Sequence, residues 1–248
     1  MTGAVRAVLF DLDDTLLDGD LAWRSGMERL LARCPGVDRV AACQVWDEAC
    51  REHFPRYLAG ELTFDGSRVA RIRSWADQME ITVEPGTELS WFETYRAGYE
   101  AGWAAFGDVA ACLRELAGLR LGVVTNGDGD QQRAKLAAIG LGGAFHSVIV
   151  SGDAGCAKPD PRIFHLAAAE LGLPPGQCLF VGDRRDIDAL GALAAGMRAV
   201  WLNRKRSEAP DALVGQITSL AELPAFLLTS SPSIGGADVT PPRGSGKV

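Results

Sequence analysis

The sequence predicts an α/β fold, a doubly wound, Rossmann-like parallel sheet core with an α-helical cap inserted into it. Three observations carry this expectation: short apolar runs that end abruptly in polar or glycine residues, helical stretches between the later runs, and a long helical insert after the first.

The apolar runs are AVLFDLDDT from Ala7, LGVVTNGDGD from Leu121, SVIVSGD from Ser147, CLFVGDRRD from Cys178 and RAVWLNR from Arg198. Strands of a parallel sheet are covered on both faces, so they read as continuous apolar runs rather than as alternating ones. Helical stretches lie near Gln131 to Ile139, Pro161 to Leu171 and Asp188 to Ala195, closed by Gly140, Gly172 and Gly196.

An insert of roughly ninety residues, 17–103, lies between the first strand and the second, many more than a single crossover helix needs. Apolar residues recur there at helical spacing: Leu21, Met27, Leu30 and Leu31, then Val69, Ile72, Ala76 and Met79, then the aromatic stripe Trp91, Tyr95, Tyr99 and Trp103. The expected division is a core of residues 1–16 and 104–228 and a cap of residues 17–103. The aromatic stripe is expected to pack inside the cap. The cap's arginines, Arg24, Arg29, Arg33, Arg51, Arg56, Arg68, Arg71 and Arg73, are expected to form a mostly solvated face from which one or two, not singled out by the sequence, meet substrate. Residues 229–248, rich in Ser, Pro and Gly, have too little to bury to repay their ordering and are expected to be disordered.

Hydrophobic residues make up 47% of the 248 and charged residues 23%, the balance of an ordinary globular protein large enough to need no disulfide. A net charge of −7 disfavours a nucleic-acid polymer as partner. The six cysteines form no CxxC pair, so neither a disulfide framework nor a metal cluster is indicated and reduced thiols are expected. No stretch approaches the ~20 apolar residues of a membrane span, and the first apolar stretch, Ala4 to Phe10, interrupted by Arg6 and followed by acids, is wrong for a signal peptide. A cytoplasmic monomer or homodimer without a membrane partner is expected.

Asp11 and Asp13 follow the first strand at i and i+2, a spacing that turns both carboxylates to one side if the chain stays extended. One can then attack phosphorus while the other shuttles a proton, although a solvated turn has the same composition. Thr125, Asn126 and Gly127 end the second strand, where a hydroxyl and free backbone N–H groups can receive a phosphoryl oxygen or merely cap a helix. Lys158, before a proline able to open a helix, can bring a point charge to the same place, although most lysines are simply surface. Asp183 ends another strand and Asp188 lies five residues on, carboxylates suited to a hard cation such as Mg²⁺. All four elements meet at the carboxyl edge of a parallel sheet.

In order and spacing, D-L-D-D-T, V-V-T-N-G, G-x-x-K-P-D and V-G-D with a later Asp resemble the four motifs of the haloacid dehalogenase superfamily, and the insert resembles its subfamily I helical cap. The resemblance implies a phosphatase acting on a small phosphomonoester, such as a sugar phosphate, sugar-acid phosphate or nucleoside monophosphate. Asp11 would be the nucleophile, Asp13 the acid and base, Thr125 the phosphate binder and Lys158 the charge neutraliser. Mg²⁺ would be held by Asp11, the Asp13 carbonyl and Asp183, with Asp188 nearby. Arg184 and Ile187 depart from the family's pattern beside that last carboxylate. Asp13 argues against a dehalogenase, which has no alkoxide to protonate, and the absence of lysine between Met1 and Leu121 argues against a Schiff-base phosphonate hydrolase. A phosphosugar mutase with the same residues remains an alternative, as does a retired core serving as a regulatory or binding protein. The three dispersed histidines, His53, His146 and His165, are expected to be structural.

Overall fold

The computed structural model describes residues 4–206 and 214–229, and the segment 230–248 of the expected disordered tail lies outside them. The five apolar runs become β1 (Ala7–Phe10), β2 (Arg120–Thr125), β3 (Ser147–Val150), β4 (Cys178–Gly182) and β5 (Arg198–Leu202). A sixth strand, β6 (Gly215–Ile217), has no such run behind it, and only Ile217 of its three residues is buried. All pairings are parallel, in the order β3-β2-β1-β4-β5-β6.

Side-chain alternation sends the central strands' residues to opposite faces, and both faces are covered. Val8, Phe10, Val123, Leu179 and Val181 belong to one apolar cluster, and Ala7, Leu9, Val124, Cys178 and Phe180 to the other. The chain leaves β1 toward β2 and β3 and later returns to its other side as β4. The carboxyl end of β1 is therefore a topological switch point, where the connections part and leave a crevice.

Between β1 and β2 lie α1 (Gly19–Leu31), α2 (Arg39–Leu58), α3 (Phe64–Gln78), α4 (Glu88–Ala101) and α5 (Val109–Glu115). The first three start where a cap side chain accepts orphan amides: Asp18 from Leu21 N–H, Asp38 from Val40 and Ala41 N–H, and Thr63 from Gly66 N–H. The four longer helices enclose their own core around Trp46, Trp75, Ile72, Met27 and Leu30, whereas α5 packs Val109 and Cys112 onto the sheet. Tyr95 joins that cap core 4.5 Å from the Trp46 ring, but Leu21, expected on the apolar face, is 45% exposed because α1 turns it outward. α1 and α4 approach so closely that a Cβ on Gly98 would strike the Ser25 carbonyl.

Backbone pairing ties the insert's two connections to each other, with Asp18 N–H on the Ala104 carbonyl at 2.9 Å and Phe106 N–H on the Leu16 carbonyl at 3.0 Å. After β2 follow α6 (Gly129–Ala138), α7 (Ser151–Ala154), α8 (Pro161–Glu170), α9 (Leu190–Ala194) and α10 (Leu223–Thr229). Gly140, Gly172 and Gly196 stand at positive φ just beyond α6, α8 and α9, as the sequence implies. No helix among the described residues is long and apolar enough to cross a membrane.

Candidate active site

Three adjacent strands deliver the site. Asp11 directly follows β1, and its N–H still bonds the Val181 carbonyl at 2.9 Å, so the ladder with β4 fixes its direction. Asp183 follows β4, its carbonyl held by the Trp201 indole N–H at 2.8 Å. Asp188 lies in a π-helical turn, Arg185–Ala189, that leads into α9 and folds it back under Gly182. Carboxylate oxygens of Asp11, Asp183 and Asp188 lie within 4.8 Å of one another.

Lys158 joins two of these acids, donating from Nζ to Asp11 Oδ1 at 2.5 Å and to Asp188 Oδ1 at 2.7 Å while itself only 5% exposed. The proline after it opens no helix: Asp160 caps α8 and Pro161 is its first residue. The Lys158 loop is instead locked to the end of β2 by a reciprocal pair. Asn126 Nδ2 donates to the Lys158 carbonyl at 2.9 Å and Lys158 N–H donates to Asn126 Oδ1 at 2.8 Å.

Burial and mutual repulsion dominate the electrostatics. Burial, then Asp188 and Asp13, push the Asp11 carboxyl up to about 7 against the pull of Lys158. Burial, then Asp11, Asp188 and Asp14, push Asp183 up to about 9, and no cation lies within salt-bridge distance of Asp183 among the described residues. Three crowded carboxylates with one lysine between them leave excess negative charge, and an all-oxygen donor set of this kind fits a hard divalent cation.

Asp13 stands apart from the acid cluster. Lys135 donates to its Oδ1 at 2.7 Å and its Oδ2 at 2.9 Å, and Gln132 donates to Oδ2 at 2.9 Å. Burial works against the Lys135 charge, yet Asp13 and then Tyr99 hold it protonated well above the ordinary lysine range. Gln132 also reaches Thr125 Oγ1 at 2.6 Å, so one side chain joins the ends of β1 and β2. The sequence expectation contains neither Gln132 nor Lys135. Their signal is present all the same, since both fall on the buried face of α6, where polar residues need a partner.

The expectation of free N–H groups at Gly127 is corrected by the geometry. Its N–H donates to Ser151 Oγ at 2.9 Å, and its carbonyl accepts from Gly152 N–H at 3.0 Å. What β2 offers at its end is the Thr125 hydroxyl, which accepts from Gln132 and keeps its own hydrogen to donate. A cavity of about 540 Å³ opens above, floored by Asp13, Asn126 and Gly127 and walled from the insert by Arg68, Arg71, Phe92, Tyr95 and Tyr99. The aromatic stripe is thus cap core and cavity wall at once. The three histidines lie elsewhere, bonded to Ser74, to Leu121 N–H and to the Ala195 carbonyl.

Known proteins resemble this chain in sequence and fold. The model of the haloacid dehalogenase-like hydrolases matches residues 5–196. The phosphoserine phosphatase of Thermus thermophilus is 33% identical over 235 residues, covering 84% of this chain and 93% of its own. The human N-acylneuraminate-9-phosphatase is 31% identical over 243 residues, covering 90% and 94%. The magnesium-bound hydrolase YfnB of Bacillus subtilis superposes with a TM-score of 0.77 at 22% identity, covering 91% of this chain and 99% of its own. With its helical cap inserted between β1 and β2, the chain belongs to the haloacid dehalogenase-like hydrolases, in subfamily I with a C1-type cap.

Proposed function

We propose that the protein is a magnesium-dependent phosphatase of small phosphomonoesters that works through an aspartyl-phosphate on Asp11. The observation that carries this reading is the Asp11 carboxylate at the end of β1, in contact with Lys158 and crowded by Asp183 and Asp188. In the first step an Asp11 oxygen attacks phosphorus, the bond from phosphorus to the leaving oxygen breaks, and Asp13 gives that oxygen its proton. In the second, water attacks the aspartyl-phosphate, Asp13 takes a proton from it, and Asp11 is released with phosphate. Thr125 donates to a phosphoryl oxygen, and Lys158 offsets repulsion between the incoming anion and Asp11. Asn126 positions Lys158, and Gly127 shapes the floor. Mg²⁺ would be held by Asp11, the Asp13 carbonyl and Asp183, with Asp188 beside them, and would supply positive charge to the phosphoryl group.

The cap, residues 17–103, selects the leaving group, within a range of sugar phosphates, sugar-acid phosphates and nucleoside monophosphates. The relative named as an N-acylneuraminate-9-phosphatase supports that range, and the one named as a phosphoserine phosphatase supports a small phosphomonoester more broadly. Six free thiols support a cytoplasmic setting. Asp11→Asn should abolish phosphate release, and EDTA should silence the protein until Mg²⁺ is restored, whereas Ca²⁺ should not substitute. More than about a thousandth of the rate left in Asp11→Asn, with deamidation excluded, would refute the nucleophile, on the ordinary scale of covalent catalysis.

A further inference from the structure

Each cation in the cavity wall has a charge account that can be read from its contacts. Lys135 is taken by Asp13 at 2.7 Å, and Arg96 by Glu93 and Glu100. Among the described residues the one carboxylate that Arg68 reaches is the largely exposed Asp65 at 3.1 Å, and its Nε is buried with no hydrogen-bond partner there. Arg71 has no carboxylate partner among the described residues. Its Nε donates to the Ser67 carbonyl at 3.3 Å and its Nη1 faces Cys50 Sγ at 3.9 Å. Arg24 also lines the cavity, but out in solvent.

Arg68 and Arg71 also converge, their guanidinium carbons 5.2 Å and 4.8 Å from the centre of the Phe92 ring. An aromatic face orients a guanidinium but neutralises nothing. Two partly buried like charges over one ring, one lacking a carboxylate and the other with an unused buried donor, cost free energy unless an anion joins them. An ester whose phosphoryl group meets Asp11, two residues before Asp13 of the floor, directs its leaving group into this cavity, toward the wall formed by α2, α3 and α4.

We infer that the protein selects phosphomonoesters whose leaving group carries a carboxylate, held by Arg71 and Arg68. The inference rests on the phosphatase reading above. A carboxylate presents two oxygens in a plane, which suits the fork of a guanidinium. Asp14, Asp20 and Asp47 line the same cavity, with Asp13 at its floor, so a single negative charge fits it better than a second phosphate with nearly two.

The test uses the full-length protein with Mg²⁺ and two pairs of esters that differ only by a carboxylate against a hydroxymethyl group. These are 3-phosphoglycerate with glycerol 3-phosphate, and 6-phosphogluconate with glucitol 6-phosphate. In at least one pair kcat/KM for the acid should exceed that of its partner by about 10- to 100-fold, the usual weight of a hydrogen bond to a charged group. Arg71→Gln should bring that ratio close to one, and Arg71→Lys, which keeps the charge, should hold it above the Gln variant's value. General damage to folding or chemistry falls on both members of a pair and cancels in the ratio. Ratios near one in both pairs, or a preference that survives Arg71→Gln, overturn the inference while turnover of p-nitrophenyl phosphate leaves the phosphatase reading standing. Faster turnover of fructose 1,6-bisphosphate than of 6-phosphogluconate overturns the choice of a carboxylate. No turnover of any of these esters overturns the phosphatase reading and the inference together.

Discussion

Asp13 is held at both oxygens by Lys135 and Gln132, so its aim is fixed before any substrate arrives. The two proton transfers assigned to it can be separated by the leaving group. A sugar alkoxide needs an acid, so Asp13→Asn should slow its departure by about 10²- to 10⁴-fold. A nitrophenolate needs none, and the same variant should release about one equivalent of nitrophenol per site in a burst, then stall for want of a base. Rapid-quench measurement with both substrates distinguishes the roles, and equal slowing with no burst would make Asp13 a structural residue. Gly182 makes a second residue-scale test. A Cβ there would run into the Asp188 carboxylate, so Gly182→Ala should push Asp188 off Lys158. Phosphate release titrated against Mg²⁺ should then show affinity or rate lowered by about 10- to 100-fold, as for other supporting contacts of metal sites, and an unaltered titration would refute that role for Asp188.

At the scale of elements, α1 and α4 cross with Gly98 against the Ser25 carbonyl and the Gly26 Cα. Gly98→Val should force the helices apart and cost about 1–3 kcal/mol or more, seen as a melting temperature lower by several degrees. A melting point equal to that of the unaltered protein would mean that the contact is slack. β1 and β4, buried at every position, were legible because they hold only apolar residues and a glycine. β6 was not, because a three-residue strand carries too little pattern. Asp11, Asp183 and Asp188 could be read because acids at the ends of apolar runs break a pattern, and the structure brings these three together. Lys135 and Gln132 break no such pattern in a helix of weak amphipathicity, and only the fold shows that α6 turns them toward Asp13. Arg71 was one among many cap arginines. What sets it apart is that it lines the cavity half-buried with no carboxylate partner among the described residues, a property of packing that no spacing encodes.

For the whole molecule the crowded acids make stability depend on pH and metal. The folded-state values of Asp11 and Asp183, about 7 and about 9, lie above the ordinary carboxylate value of 3.8. A raised value stabilises fully below the unfolded value and is lost as pH rises through the folded one. The metal-free protein should therefore lose stability as pH rises above 3.8, the Asp11 part of the fall being complete by about 7 and the Asp183 part by about 9, and saturating Mg²⁺ should largely flatten that fall. Melting curves in EDTA and in Mg²⁺ across that range check this, and a metal-free melting temperature that climbs with pH would contradict it. The paired connections of the insert bear on descent. Because Leu16 and Asp18 are hydrogen-bonded to Phe106 and Ala104, the chain enters and leaves the insert at nearly one point. A segment with touching ends can be cut out, lengthened or exchanged by recombination while β1 and β2 stay in register, so lineages can trade what is recognised without altering how it reacts.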